Sequence, residues 1–186
     1  MTAKWNETRT GLTLAELVSV LAIILTLAGL ILSLSGYIQN KSKRSRAQVE
    51  IAALSVALEN YKADNGTYPT DTANGTTNTL DARTMFNPTA TACTAASFFL
   101  YRELSGDPAG NRAPMGKSYF SFKPNMLLPK DQAQAVISIA DPFGNSYGYS
   151  TANQTDSSKG YNPTFDLWST AGGTAAADQA KWIKNW

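Results

Sequence analysis

Residues 17–40 read LVSVLAIILTLAGLILSLSGYIQN and contain no charged side chain, and 15 Ile, Leu and Val fall between residues 12 and 38. At 1.5 Å per residue, a helix over residues 17–34 spans about 27 Å, close to the thickness of a hydrocarbon core. Three readings compete for such a run. A secretory signal peptide uses a shorter apolar stretch followed by a small-residue cleavage site, which Ser33, Ser35 and Gly36 would supply only poorly. A plain membrane anchor accounts for the length and nothing else. The third reading turns on the residue just before the run, Glu16.

A carboxylate beside lipid costs several kcal/mol unless something pairs with it. Glu16 follows Gly11 by five residues, and Gly11 ends a polar leader, residues 1–11. Cleavage after Gly11 would leave an α-amine on Leu12, a cation of the sign Glu16 needs, on its own helix or on a staggered neighbouring copy. A snorkelling interfacial Glu is the plain alternative, and it leaves the Gly at this spacing unexplained.

The string Thr10-Gly11-Leu12-Thr13-Leu14-Ala15-Glu16-Leu17, followed by the aliphatic run, resembles the type III signal of type IV pilin-like proteins. The resemblance implies that a prepilin peptidase cuts between Gly11 and Leu12 and methylates the new N-terminus. It also implies that Glu16 guides assembly. The family commonly has Phe where Leu12 stands.

Beyond the run the charges cluster: Lys4 and Arg9 precede it, whereas Lys41, Lys43, Arg44 and Arg46 follow it. Counted by Lys and Arg alone, the C-terminal part belongs in the cytoplasm. The resemblance implies the opposite, a single-pass protein of the bacterial inner membrane with its C-terminal domain in the periplasm, and that is the topology expected here. The basic group itself reads as an anchor on lipid headgroups, a contact between subunits or a solvated helix face.

Further on, Ile51, Leu54, Leu58 and Tyr61 recur at spacings of three and four, one face of an amphipathic helix. With Asp64-Asn65-Gly66 as a stop, this predicts one helix over residues 12–65, with its membrane-spanning half at about 14–38. Gly66-Thr67-Tyr68-Pro69 follows, and Pro69 enforces an extended turn at Tyr68. A Gly-x-Tyr-Pro at this place resembles the exit from the long helix in pseudopilins.

Residues 66–186 form the expected globular domain, with a polar, variable loop region at 70–118, a short helix at 94–104 and antiparallel strands at about 119–170. Strand signals are the aromatic-rich Tyr119-Phe120-Ser121-Phe122, the apolar stretch 135–140, the alternating Tyr147, Tyr149 and Thr151, and Phe165-Asp166-Leu167-Trp168-Ser169. Asp141-Pro142-Phe143-Gly144-Asn145 is a turn. The order Asp-Pro-Phe-Gly-Asn-x-Tyr, Phe-Asp-Leu-Trp-Ser and Gly-Gly resembles the major pseudopilin of type II secretion, whose usual form begins Asp-Pro-Trp-Gly-Asn-Pro-Tyr. That family often holds Ca²⁺ after its last strand. Calcium takes about six to eight oxygens, and the matching region here offers only Asp166 and Asp178, so no cofactor is expected beyond this weak calcium set. Trp182 and Trp186, one helical turn apart, are expected to pin the tail to the domain.

Histidine is absent, Cys93 is the single cysteine, and the net charge is +2. His-based catalysis, multi-Cys zinc sites and an internal disulfide are thereby excluded, and nothing favours nucleic acid as a partner. No enzymatic constellation appears. The fold expected is α+β and pilin-like, a long helix packed on a small antiparallel sheet. The function implied by the resemblance is a structural subunit of a pseudopilus. Its implied partners are copies of itself, the prepilin peptidase, an inner-membrane assembly platform, minor pseudopilins and lipid. A surface type IV pilin, or a membrane-tethered module that captures ligand on exposed Trp168, Trp182 and Trp186, are the competing readings.

Overall fold

The computed structural model describes Gly11 and residues 13–186, without the side chains of residues 31–35. Helix α1 runs Leu14–Asn65. No proline interrupts it, and it ends where Gly66 takes φ +79° and donates its N–H to the Lys62 carbonyl at 2.8 Å, a left-handed stop that glycine adopts without strain. The chain divides into two compact units between Lys41 and Ser42, inside this helix.

In the C-terminal unit the expected helical stripe is the floor of the core. Ala47, Ile51, Leu54, Ala57 and Leu58 are buried and cluster with Leu100, Tyr101 and Leu104 of helix α2 (Thr91–Ser105). Five short strands complete it: β1 (Leu127–Leu128), β2 (Ser138–Ile139), β3 (Gly148–Ser150), β4 (Asp166–Ser169) and β5 (Ile183–Lys184). They form two antiparallel sheets, β1-β2 and β3-β4-β5. Side chains alternate along β4, so Leu167 joins the cluster over α1 while Trp168 enters a second cluster with Leu80, Ala96 and Trp182. Gly148 lies opposite Trp168 in the ladder, and a Cβ there would sit 2.1 Å from the indole. Only glycine leaves room for that ring.

The α+β class and the long helix are as expected, but the sheet departs from expectation in detail. Tyr119–Phe122 is not a strand: the N–H groups of Tyr119 and Phe120 both bond the Leu104 carbonyl, at 2.8 and 3.0 Å. The segment therefore clasps the end of α2, and its rings pack on the core as Phe120 against Phe122 and Phe122 against Tyr101. The tail adds β5 after a 3₁₀ turn, Ala176–Lys181.

With strands of two to four residues, loop geometry falls to buried carboxylates. Asp141 Oδ1 accepts the N–H groups of Phe143 and Asn145, both at 2.9 Å, while the Ser169 hydroxyl donates to Oδ2 at 2.5 Å. The same five-residue pattern occurs once more, as Asp107-Pro108-Ala109-Gly110-Asn111. There Asp107 accepts from Asn111 N–H at 3.3 Å, Arg112 N–H at 2.7 Å and the Tyr101 hydroxyl at 2.8 Å. Gly110 and Gly144 both take positive φ. Asp71 likewise collects Asn74 N–H at 3.0 Å and the Thr76 hydroxyl at 2.9 Å.

These carboxylates respond differently to pH. Burial pushes Asp141 above the usual carboxylate range despite the Ser169, Asn145 and Phe143 donors. Burial also pushes Asp71 up, but the Asn74 and Thr76 donors outweigh it and hold the group below its ordinary value. A raised native pKa gives stability that is lost as pH rises, and a lowered one gives stability that is lost as pH falls. Between about pH 3 and 6, the stability of the parent relative to Asp141→Asn should therefore fall with rising pH, and relative to Asp71→Asn it should rise. Thermal unfolding of the three proteins across that range checks both signs.

Leu58 is fully buried in the stripe, so Leu58→Ala should cost about 2–5 kcal/mol, as core truncations do. Denaturant unfolding of a fragment beginning at Ser42 measures it.

Candidate functional site

Of the residues implicated in processing, Gly11 is exposed, and Leu12 lies outside the described residues, as does the leader at 1–10. Downstream of it, Thr13 and Glu16 close a reciprocal capping box. Glu16 N–H donates to the Thr13 hydroxyl oxygen at 3.3 Å, and Thr13 N–H donates back to Glu16 Oε2 at 2.8 Å. The Thr13 hydroxyl also donates to Oε2 at 2.8 Å. The S/T-x-x-E spacing of Thr13-Leu14-Ala15-Glu16 is the sequence signature of this device, and it offered a reason for Glu16 that the spacing to Gly11 obscured. The cap employs one carboxylate oxygen. Oε1 accepts no hydrogen bond among the described residues.

The helix that follows presents apolar side chains to its surroundings. In the N-terminal unit Leu14, Leu17, Val18, Val20, Leu21, Ile23 to Leu25, Leu27, Leu30, Tyr37 and Ile38 are 52–83% exposed. Continuous apolar exposure on this scale marks a surface that another apolar phase covers. Among the described residues, no helix is long and apolar enough to cross a membrane. The expected span at 14–38 includes residues 31–35, whose side chains lie outside the described ones.

The basic residues behind this segment have specific positions in the C-terminal unit. Arg46 Nε meets Glu50 Oε1 at 2.6 Å, and Glu50 Oε2 accepts the buried Tyr147 hydroxyl at 2.8 Å. Arg44 donates to the Lys181 carbonyl at 2.8 Å, and Lys43 Nζ lies 5.8 Å from the Phe143 ring centroid. These cations are therefore engaged by the folded domain and are not only a solvated helix face.

The two residues considered for calcium do not come together. Asp166 is buried rather than solvent-facing, and its oxygens accept N–H from Tyr161 at 2.8 Å and Asn162 at 2.9 Å. Burial raises its pKa, with Asp81 raising it further and Arg83 opposing. Asp178 belongs to the 3₁₀ turn and pairs with Lys181 at 3.1 Å. Among the described residues, no three Asp, Glu, Cys or His side chains gather to hold a metal. A calcium site asks for several converging carboxylates, and this donor set does not fit it.

Of the tryptophans considered for ligand capture, Trp168 and Trp182 are core residues and Trp186 is half-buried against them. Trp168 and Trp182 are buried and stack on one another, with centroids 6.0 Å apart and planes within 10°. Trp186 stacks on Tyr161 at 4.6 Å, so the tail is pinned to the domain as expected. Cys93 is buried, and burial, with the Asp141 charge adding to it, pushes its thiol up to about 12. A thiol held neutral in this way is inert as a nucleophile.

A long N-terminal helix whose second half floors a small α+β domain defines a pilin-like protein. One family model matches the chain: Type II secretion system (T2SS), protein G, over residues 37–114. The match covers 78 of the 186 residues, and over that stretch the chain is similar to this pseudopilin family. It spans the amphipathic half of α1, the Gly-x-Tyr-Pro exit, α2 and the Asp107–Asn111 turn, and it leaves out both residues 11–16 and residues 141–173. The resemblance noted at 141–173 is thus not where this match falls, whereas most of the polar, variable region at 70–118 lies inside it. No curated protein and no solved structure matches the chain.

Because the oxygens of Asp166 are already bonded and Asp178 is paired elsewhere, millimolar Ca²⁺ should leave the melting temperature of the protein unchanged. A rise of many degrees, abolished by Asp178→Ala, is the result that would restore a metal site, since a ligand of the folded state stabilises it.

Proposed function

We propose that this chain is a filament-forming subunit of a type II secretion-type pseudopilus. In this reading a prepilin peptidase cuts between Gly11 and Leu12 and methylates Leu12. Residues 14–38 hold the subunit in the bacterial inner membrane, and residues from Ser42 onward fold in the periplasm. Subunits then leave the bilayer through an assembly platform, joined by minor pseudopilins, and exchange lipid around the apolar helix for one another.

The observation that carries the reading is the family match over the helix and α2. The exposed apolar face at residues 14–30 supports it, because that face needs lipid or neighbouring helices to cover it. Glu16 supports it as well: with Oε2 occupied by the cap, Oε1 remains to accept a neighbour's N-terminal amine.

Mass spectrometry of the membrane form should find a chain that starts at Leu12 and carries one added methyl group. Glu16→Leu should stay in the membrane and lose filaments. Thr13→Ala, which removes the hydroxyl of the cap at about 1 kcal/mol and keeps the carboxylate, should still assemble. A start at Met1 or near Gly36, or parental filament yield from Glu16→Leu, would overturn the proposal. Equal loss in both variants would reduce Glu16 to a helix cap.

A further inference from the structure

We infer that Lys43, Arg44 and Lys181 form a seat for anionic phospholipid headgroups at one end of the C-terminal unit; the inference rests on the proposed membrane anchoring of residues 14–38. The fold brings Arg44 and the backbone of Lys181 together from distant parts of the chain, because the Arg44 guanidinium donates to the backbone carbonyl of Lys181 at 2.8 Å. Two of these charges, on Lys43 and Arg44, are not cancelled locally. Arg46 is neutralised by Glu50 and Lys181 is paired with Asp178. Arg44 spends one N–H on a neutral carbonyl, and exposed Lys43 meets only the face of Phe143, so neither has an acidic partner among the described residues.

The place of the cluster selects the ligand. Lys43 and Arg44 follow the uncharged run of residues 17–40 almost at once. A chain that leaves the hydrocarbon region at the end of that run passes next through the headgroup layer, where phosphates are the abundant anions and Lys and Arg extend readily to them. The guanidinium offers a planar fork to phosphate oxygens, and lysine offers a point charge. Lys181, whose backbone lies beside Arg44 and whose ammonium is paired with Asp178, adds a domain cation for which a phosphate competes with that carboxylate. The domain would then touch the bilayer at this end and stay docked until the subunit is drawn into a filament.

The experiment uses the full chain reconstituted in vesicles of phosphatidylcholine alone, or of phosphatidylcholine mixed with phosphatidylglycerol. Lysine acylation is followed residue by residue by mass spectrometry. Lys43 and Lys181 should react several-fold more slowly in the phosphatidylglycerol vesicles, and molar salt, which shortens the screening length to about 3 Å, should erase the difference. Exposed Lys130 should react alike in both. Lys43→Gln should restore part of the Lys181 reactivity in the anionic vesicles, with an unchanged near-ultraviolet spectrum showing that the domain is still folded. Equal Lys43 rates in the two vesicle types, from protein that resists alkaline extraction, would overturn the lipid seat and leave the anchor standing. Slowing that depends on protein density and not on lipid charge would assign the cluster to a neighbouring subunit instead. Release of the chain by alkaline extraction would overturn the anchor and the seat together.

Discussion

A carboxylate that gathers successive backbone N–H groups is the interaction on which the C-terminal unit depends. Its longest strand has four residues, too short for ladder hydrogen bonds alone to fix the loops between strands. Asp71, Asp107, Asp141 and Asp166 are all buried, and each closes its loop by accepting at least one local N–H. The helices then have a rigid surface to bury against. Remove one carboxylate and two or more donors lose their partner at once, a larger loss than one ladder bond.

That rigidity allows the helix to serve two different surroundings. From Ala47 to Leu58, α1 is covered by its own domain, and from Leu14 to Leu27 it carries apolar side chains that are exposed among the described residues. In the proposed filament, a subunit that leaves lipid and joins a polymer uses this division. The first half must find cover from whatever surrounds it, and the second half must keep its cover throughout. Glu50, bonded to Arg46 and Tyr147, helps to hold the second half in place with a partly buried charge network.

Much of this was legible in the sequence. The helix was readable because its period runs uninterrupted by proline to Gly66, and its core residues fell at the predicted spacing. The capping box was written in Thr13 and Glu16 and was passed over because the same glutamate fitted a processing signal. The turn at 141–145 was read, but its twin at 107–111 was not, because apart from a short helix the whole of 70–118 read as variable loop. Strands of two residues have no period to detect. Tyr119–Phe122 had the composition of a strand, yet its backbone donors were claimed by the last turn of α2, a long-range choice that local pattern does not encode. The burial of Asp166 had no signal either, since its partners Tyr161 and Asn162 lie in a loop whose shape the aspartate itself sets.

The parallel stacking of Trp168 on Trp182 has an optical consequence. Two indoles held with planes 10° apart and centroids at 6.0 Å couple their electronic transitions, and the coupling exists only while β4 and the tail are in register. Trp186 lies edge-on to Trp168. Three of the four tryptophans of the chain thus make a built-in chromophore for the C-terminal unit, while the described part of the apolar helix carries only Tyr37 as an aromatic residue. Circular dichroism of the tryptophan bands therefore follows the packing of β4 against the tail without a label.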